Sequence, residues 1–123
     1  MLKHFNCIVQ IVNNTDQTLD LMDVQNKHGE YDPAPPNQIK PGEVIEFTLN
    51  HHELSPYGTA GSCLYRSKGG SADVAMSYRC PSFIGPNGAD VLVQNSSVLH
   101  AHMIPNPLPE SGHPMKVQFT ISN

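Results

Sequence analysis

The sequence contains no tryptophan, and charged residues make up only 15% of its 123 positions. Its seven Lys and Arg residues are scattered and form no cluster, and the formal net charge is −4. Proteins that bind nucleic acid by neutralising phosphates need a basic cluster, as do polybasic membrane anchors. We therefore expect no nucleic-acid partner and no polybasic anchor.

Long apolar runs are also lacking. None approaches the roughly 20 residues that span a bilayer. The first nine residues lack the apolar core of a signal peptide and are typical of the start of a strand. We therefore expect a protein that is cytosolic or released by a non-classical route.

Cysteine is scarce, with Cys7, Cys63 and Cys80 far apart in the chain. An odd number at wide spacing argues against a disulfide framework and against a zinc cluster. Buried free thiols are the expected state, since free cysteine is among the residue types most often buried.

Helical periodicity is almost absent, and apolar residues instead recur at every second position, as on a strand with one buried face. The clearest run contains Phe5, Cys7, Val9 and Ile11. Eleven Pro and nine Gly fall mostly between such runs, where they indicate turns. The pattern predicts about eight strands, and residues 1–123 are expected to form a single all-β domain, an antiparallel β-sandwich with no helix longer than two turns.

Two strands, Thr59–Tyr65 and Asp73–Cys80, flank a Gly-Gly turn and predict a hairpin. Counted outward from that turn, Cys63 and Cys80 lie on adjacent strands but not opposite each other. A direct disulfide between them is therefore not expected.

Catalytic motifs are missing. The chain has no Gly-x-Ser-x-Gly elbow, no phosphate loop and no His-Glu-x-x-His. Cys80 lies in phase with Val74, Met76 and Tyr78, which predicts a buried, unreactive thiol. We expect a protein that is not an enzyme and that has no cofactor.

His100 and His102 lie two residues apart on a predicted strand, so both rings point the same way. A metal site built on them, with His51, His52 or His113 as further ligands, is one alternative. A histidine pair without a nearby cysteine or carboxylate pattern is more typical of an exposed strand face.

Two short motifs are more specific. In Tyr57-Gly58-Thr59-Ala60-Gly61, two glycines around a threonine predict a close backbone approach before a strand. In Tyr78-Arg79-Cys80-Pro81, a strand ends on proline. Together they resemble the Gly-Thr-x-Gly and Tyr-x-Cys-Pro elements of the aegerolysins, small β-sandwich proteins of fungi and bacteria that bind membrane lipids.

The resemblance covers most of the chain in order, including the 39–43 turn and the closing strand at 117–122. The sequence departs from the family in having no Trp, in having Tyr57 where an acidic residue commonly precedes Gly-Thr, and in having Ser82 where an aromatic residue usually follows Cys-Pro.

The resemblance implies a membrane-lipid-binding protein that recognises sphingolipid-like headgroups. It also implies the role of targeting component in a two-component cytolysin, with a membrane-attack-complex/perforin-type partner. The lipid-binding residues are then expected in two loops at one end of the sandwich, and they are Tyr57, Gly58, Thr59, Ser82, Phe83 and Ile84. Exposed aromatic rings there suit the headgroup level of a bilayer.

A lectin-like, carbohydrate-binding β-sandwich is the alternative from a different class. Exposed tyrosine with Asn, Asp and His nearby suits sugar binding, and the predicted loops contain these residue types.

Overall fold

The computed structural model describes residues 5–52, 56–69, 72–81, 86–105 and 114–123. This part of the chain is built from strands and contains no α-helix. Its ten strands are β1 (Cys7–Asn14), β2 (Leu19–His28), β3 (Glu30–Tyr31), β4 (Gln38–Ile39), β5 (Val44–Asn50), β6 (Thr59–Ser67), β7 (Asp73–Cys80), β8 (Gly88–Gln94), β9 (His100–Ile104) and β10 (Met115–Ser122).

The strands form two five-stranded sheets packed face to face. Sheet A has the order β3-β5-β1-β10-β9, and sheet B has the order β4-β2-β6-β7-β8. Burial alternates along the central strands as the sequence pattern predicts, so that Cys7, Val9 and Ile11 of β1 are fully buried while the residues between them are only half-buried. The predicted all-β sandwich is confirmed.

One strand pair departs from the antiparallel arrangement. β1 and β10 run parallel, with Cys7 beside Met115 and Asn14 beside Ser122, whereas the other described pairs are antiparallel. β1 lies in the middle of sheet A, between β5 and β10. This position explains why its second face, which contains Ile8 and Val12, is also partly buried.

The core lies between the two inner faces. Phe47 is fully buried and makes edge contacts with Tyr31 and Tyr78, at ring-centroid distances of 6.0 and 5.5 Å. Burying one such large side chain contributes about 1.5–3 kcal/mol relative to leaving it in water. The largest fully buried side chains are Tyr65, Phe47, Phe119, Ile11, Leu19, Ile39, Leu49, Met76, Ile121, Val9, Val74 and Val117.

The hairpin of β6 and β7 is confirmed. Cys63 lies opposite Met76, and Cys80 lies opposite Thr59, so the two cysteines are on adjacent strands but are not paired across them. All three cysteines are buried free thiols.

Burial sets the chemistry of these thiols. It raises the pKa of Cys7 and of Cys63 to about 12, and it also raises the pKa of Cys80. A thiol is unreactive while it stays protonated, and a raised pKa keeps it protonated at neutral and mildly alkaline pH.

We therefore expect the native protein to react slowly with a thiol reagent near pH 8, whereas the denatured, non-reduced protein should release the signal of three thiols. A spectrophotometric thiol titration with and without denaturant measures this. Rapid labelling of the native protein, or fewer than three thiols after denaturation, would contradict the buried, unpaired state.

The histidine pair lies at the edge of sheet A. His100 and His102 are both exposed on β9, and His113 lies outside the described residues. No group of three or more His, Cys, Asp or Glu side chains in the described ranges is placed to hold a metal ion. The same part of the chain has no helix long and apolar enough to cross a membrane.

Candidate functional site

Gly58 is the point where the two sequence motifs meet. A Cβ atom built on Gly58 would lie 1.8 Å from the carbonyl oxygen of Cys80 and 2.9 Å from the carbonyl carbon of Pro81. A real side chain cannot occupy that space, so the loop before β6 can lie against the end of β7 only with glycine here. The predicted close backbone approach is confirmed.

Thr59 anchors this end of the sandwich from the inside. Its side chain is only 2% exposed. Its hydroxyl donates to the backbone oxygen of Phe5 at 2.7 Å and lies 3.1 Å from the Sγ atom of Cys7. Because Cys7 belongs to the other sheet and Phe5 lies just before it, Thr59 fixes the position of the loop that precedes it and presents no side-chain surface to a ligand.

Tyr57, in contrast, is directed outward. Its side chain is 59% exposed, and its ring stacks on the His28 ring with a centroid distance of 4.6 Å and an interplanar angle of 18°. Offset stacking of this kind stabilises a pair of rings by about 0.5–1.5 kcal/mol. The stack holds the Tyr57 ring at the end of sheet B while leaving much of it open to solvent.

A row of side chains crosses the outer face of sheet B beside this stack. His28 lies opposite Ala60, and Ala60 lies opposite Arg79. Directly opposed residues on neighbouring strands have Cβ atoms about 5 Å apart. The small Ala60 therefore leaves a gap between the His28 and Arg79 side chains, whose Cβ atoms are about 10 Å apart across it.

Arg79 is placed by its next neighbour in the row. A Cβ atom on Gly88 would lie 2.5 Å from Cζ and 2.6 Å from one terminal nitrogen of Arg79. The guanidinium thus occupies the space that a side chain at position 88 would fill. Glycine at this position lets the cation lie over the edge strand β8.

The gap continues into an open cavity of about 470 Å³ on the outer face of sheet B. The hydroxyls of Ser62 and Ser77 line it, and Lys27 and Arg79 bring two cationic side chains to its rim. Its full lining is Gln25, Asn26, Lys27, Ala60, Gly61, Ser62, Ser77, Tyr78 and Arg79. Two cations with hydroxyl donors form a surface suited to a phosphate-type anion.

Two tyrosine hydroxyls hold the rim of this cavity in place. The Tyr31 hydroxyl donates to the backbone oxygen of Gln25 at 2.7 Å and lies 2.8 Å from the Tyr78 hydroxyl. Burial raises the pKa of Tyr31 to about 12 and raises the pKa of Tyr78 further. Both hydroxyls therefore stay protonated at neutral pH and act as structural links between β2, β3 and β7.

The structure brings only part of the predicted site together. Tyr57, Gly58 and Thr59 lie at one end of the sandwich, where Tyr57 is exposed and Thr59 is buried. Ser82, Phe83 and Ile84 lie outside the described residues.

His28, Lys27 and Arg79 were missed by the sequence reasoning. For Arg79 a signal existed, because it lies between the inward-facing Tyr78 and Cys80 and must therefore point outward. For His28 there was none, since its approach to Tyr57 depends on the pairing of β2 with β6.

Comparisons with known proteins agree on the architecture. No family model matches the sequence, and no curated protein matches it either. Among solved structures, the lipid-binding protein Nakanori superimposes with a TM-score of 0.76 at 13% identity, over 96% of this chain and 71% of that chain. This chain has the same fold.

Two further structures share it. IP-1A from Alcaligenes faecalis has a TM-score of 0.74 at 12% identity, over 98% of this chain and 94% of that one. RahU, solved in complex with a TRIS molecule, has a TM-score of 0.78 at 12% identity, over 100% of this chain and 97% of that one. At such identities the likeness establishes the β-sandwich fold alone, and it does not carry residue roles.

Proposed function

We propose that this protein binds lipid at membrane surfaces through the end of the sandwich that presents Tyr57. The observation that carries the proposal is the exposed Tyr57 ring, held by His28, beside a cavity with two cations at its rim. An amphipathic ring suits the headgroup level of a bilayer, and the cations suit the phosphates found at the same depth. The fold shared with a lipid-binding protein supports it.

We propose further that the headgroup is of the sphingolipid type, as the resemblance to aegerolysins implies. Its phosphate would be bound by Arg79 and Lys27, while the hydroxyls of Ser62 and Ser77 would hydrogen-bond the remaining headgroup atoms. Arginine offers paired donors that match phosphate oxygens. All four residues line the one cavity.

In this proposal the protein has no enzymatic activity and serves as the targeting component of a two-component cytolysin. The sandwich binds the lipid, and a membrane-attack-complex/perforin-type partner forms the pore. The family resemblance supports this division of roles. The rigid attachment of the Tyr57 loop, through Gly58 and Thr59, suits a recognition surface that keeps its shape on binding.

The test is liposome co-sedimentation with phosphatidylcholine vesicles that contain or lack sphingomyelin and cholesterol. We expect wild type to bind best to vesicles with sphingomyelin. Tyr57→Ala combined with Arg79→Ala should weaken binding at least tenfold, because about 1.4 kcal/mol corresponds to tenfold and each side chain is expected to contribute on that order. The Arg79 contribution should decrease as salt increases.

Val44→Ala combined with Lys40→Ala is the matched control. Val44 is as exposed as Tyr57, at 59%, and it lies toward the other end of the sandwich with Lys40. This control should bind like wild type. If the test variant stays folded and still binds like wild type, the lipid site lies elsewhere, and if wild type binds none of these vesicles, the proposed function is wrong.

A further inference from the structure

A second open cavity, also of about 470 Å³, lies at the opposite end of the sandwich. β1 and β10 both run away from the Tyr57 end, and the loop after β1 and the residue after β10 contribute to this cavity. Ser67, Gly69 and Ala72, near the end of β6, and the loop after β8 complete it. Its size is within the range of small-molecule sites.

Polar side chains at this cavity are open to solvent. Within the described residues, the Asp16 carboxylate, the Gln17 and Asn95 amides and the Ser97 hydroxyl make no hydrogen bond, and all but the half-buried Gln17 are exposed. All four line the cavity. They combine groups that only accept hydrogen bonds with groups that both donate and accept.

The loops that carry these groups are held by hydrogen bonds of their own. The Asn123 side-chain oxygen accepts from the backbone N–H of Asp16 at 3.0 Å. The Ser96 hydroxyl accepts from the backbone N–H groups of Val98 and Leu99, at 3.2 and 3.1 Å. The buried Asn13 amide donates to the backbone oxygen of Gln17 at 2.9 Å. A ligand would therefore meet a preformed site, which lowers the entropic cost of binding.

The charge of this cavity differs from that of the Tyr57 end. No Lys, Arg or His side chain is among its described lining residues, and its one charged side chain is that of Asp16. A phosphate or another anion is therefore disfavoured. Val98, which is 63% exposed, adds an apolar surface beside the amides, whereas the adjoining Leu99 is buried.

We infer that this cavity binds a neutral sugar. Each sugar hydroxyl both donates and accepts, which matches side-chain amides, a serine hydroxyl and a carboxylate arranged around one space. The C–H face of a sugar ring is apolar and can pack on Val98. The protein would then bind a neutral glycan at one end and lipid at the other, by two independent sites.

A glycan array that carries both neutral and sialylated glycans tests this inference, with labelled wild type and the Asp16→Ala, Asn95→Gly double variant. Asn95 has a φ of 63°, so glycine removes its amide while keeping the backbone conformation. We expect wild type to bind a subset of the neutral glycans and the double variant to lose at least tenfold in affinity. Titration of the terminal sugar of a bound glycan into ¹⁵N-labelled protein should shift the amide signals of residues 16–17 and 95–99.

Asn14→Ala is the matched control, since Asn14 is exposed near this end but does not line the cavity. It should bind glycans like wild type, and the double variant should bind sphingomyelin vesicles like wild type. The inference is overturned if wild type binds no neutral glycan, if the double variant binds glycans equally well, or if the shifted amide signals cluster at the Tyr57 end. Because vesicle binding is measured separately, failure here is distinguishable from failure of the lipid proposal.

Discussion

Gly58→Ala is expected to lower the free energy of unfolding by about 3 kcal/mol or more, at the upper end of the range for overpacked sites. The added methyl group would lie 1.8 Å from the backbone oxygen of Cys80. The backbone of β7 cannot give way as a flexible side chain does. The loop before β6 must therefore move away from the end of β7, and the Tyr57 ring should move with it.

Gly42→Ala is the matched control. Gly42 has a φ of 84°, but nothing lies within 4 Å of an added Cβ atom. Gly42→Ala should therefore lower the free energy of unfolding only by the backbone strain of an alanine in the left-handed conformation, about 1–2 kcal/mol. Urea unfolding followed by circular dichroism measures both variants. Equal losses in the two variants would show that the contact between Gly58 and Cys80 is not tight.

Asn13→Ala is expected to lower the free energy of unfolding by about 2–4 kcal/mol. The Asn13 side chain is fully buried, and it donates to the backbone oxygens of Gln17 and Ile39 and accepts from the N–H and hydroxyl of Thr15. Alanine would leave several of these groups buried without a partner, at about 1–3 kcal/mol for each group that water cannot reach.

Asn14→Ala serves as the control for this variant, because Asn14 is the same residue type at the next position and is exposed. Exposed substitutions of this kind usually stay within about 0.5 kcal/mol. Thermal and urea unfolding of both variants give the comparison. A stability loss for Asn13→Ala no larger than that for Asn14→Ala would mean that solvent reaches the groups that Asn13 binds.

The sequence was sufficient for the fold class because alternation with period two is a local property. The run Cys7, Val9 and Ile11 is buried as the pattern predicts. The partner of each strand is not local, and the pattern of β1 fits an antiparallel neighbour as well as the parallel β10 that it has. Asn13 shows a similar limit, since it is a polar residue at the end of β1 that is fully buried and hydrogen-bonds the distant Ile39.

The Tyr57 end of the sandwich was predicted only where its residues are adjacent in the sequence. Tyr57 and Gly58 belong to one motif. Its glycine predicts that the backbone lies close to another part of the chain, but the sequence does not show which part. The cavity lined by Lys27 and Arg79 is created by two strand pairings, β2 with β6 and β6 with β7. Its width depends on the small Ala60 between them, a residue that carries no chemical signal.

The parallel pairing of β1 with β10 has a consequence for how the chain folds. These strands are neighbours in the middle of sheet A, yet side chains that meet between them, such as Gln10 and Gln118, are 108 positions apart in the sequence. Chains whose contacts join distant positions fold slowly, because the entropy of closing a long loop is lost before the contact stabilises anything. During synthesis, one edge of β1 stays unpaired until β10 has left the ribosome. Sheet B, whose β6 and β7 form a hairpin, has no such delay and is expected to form first.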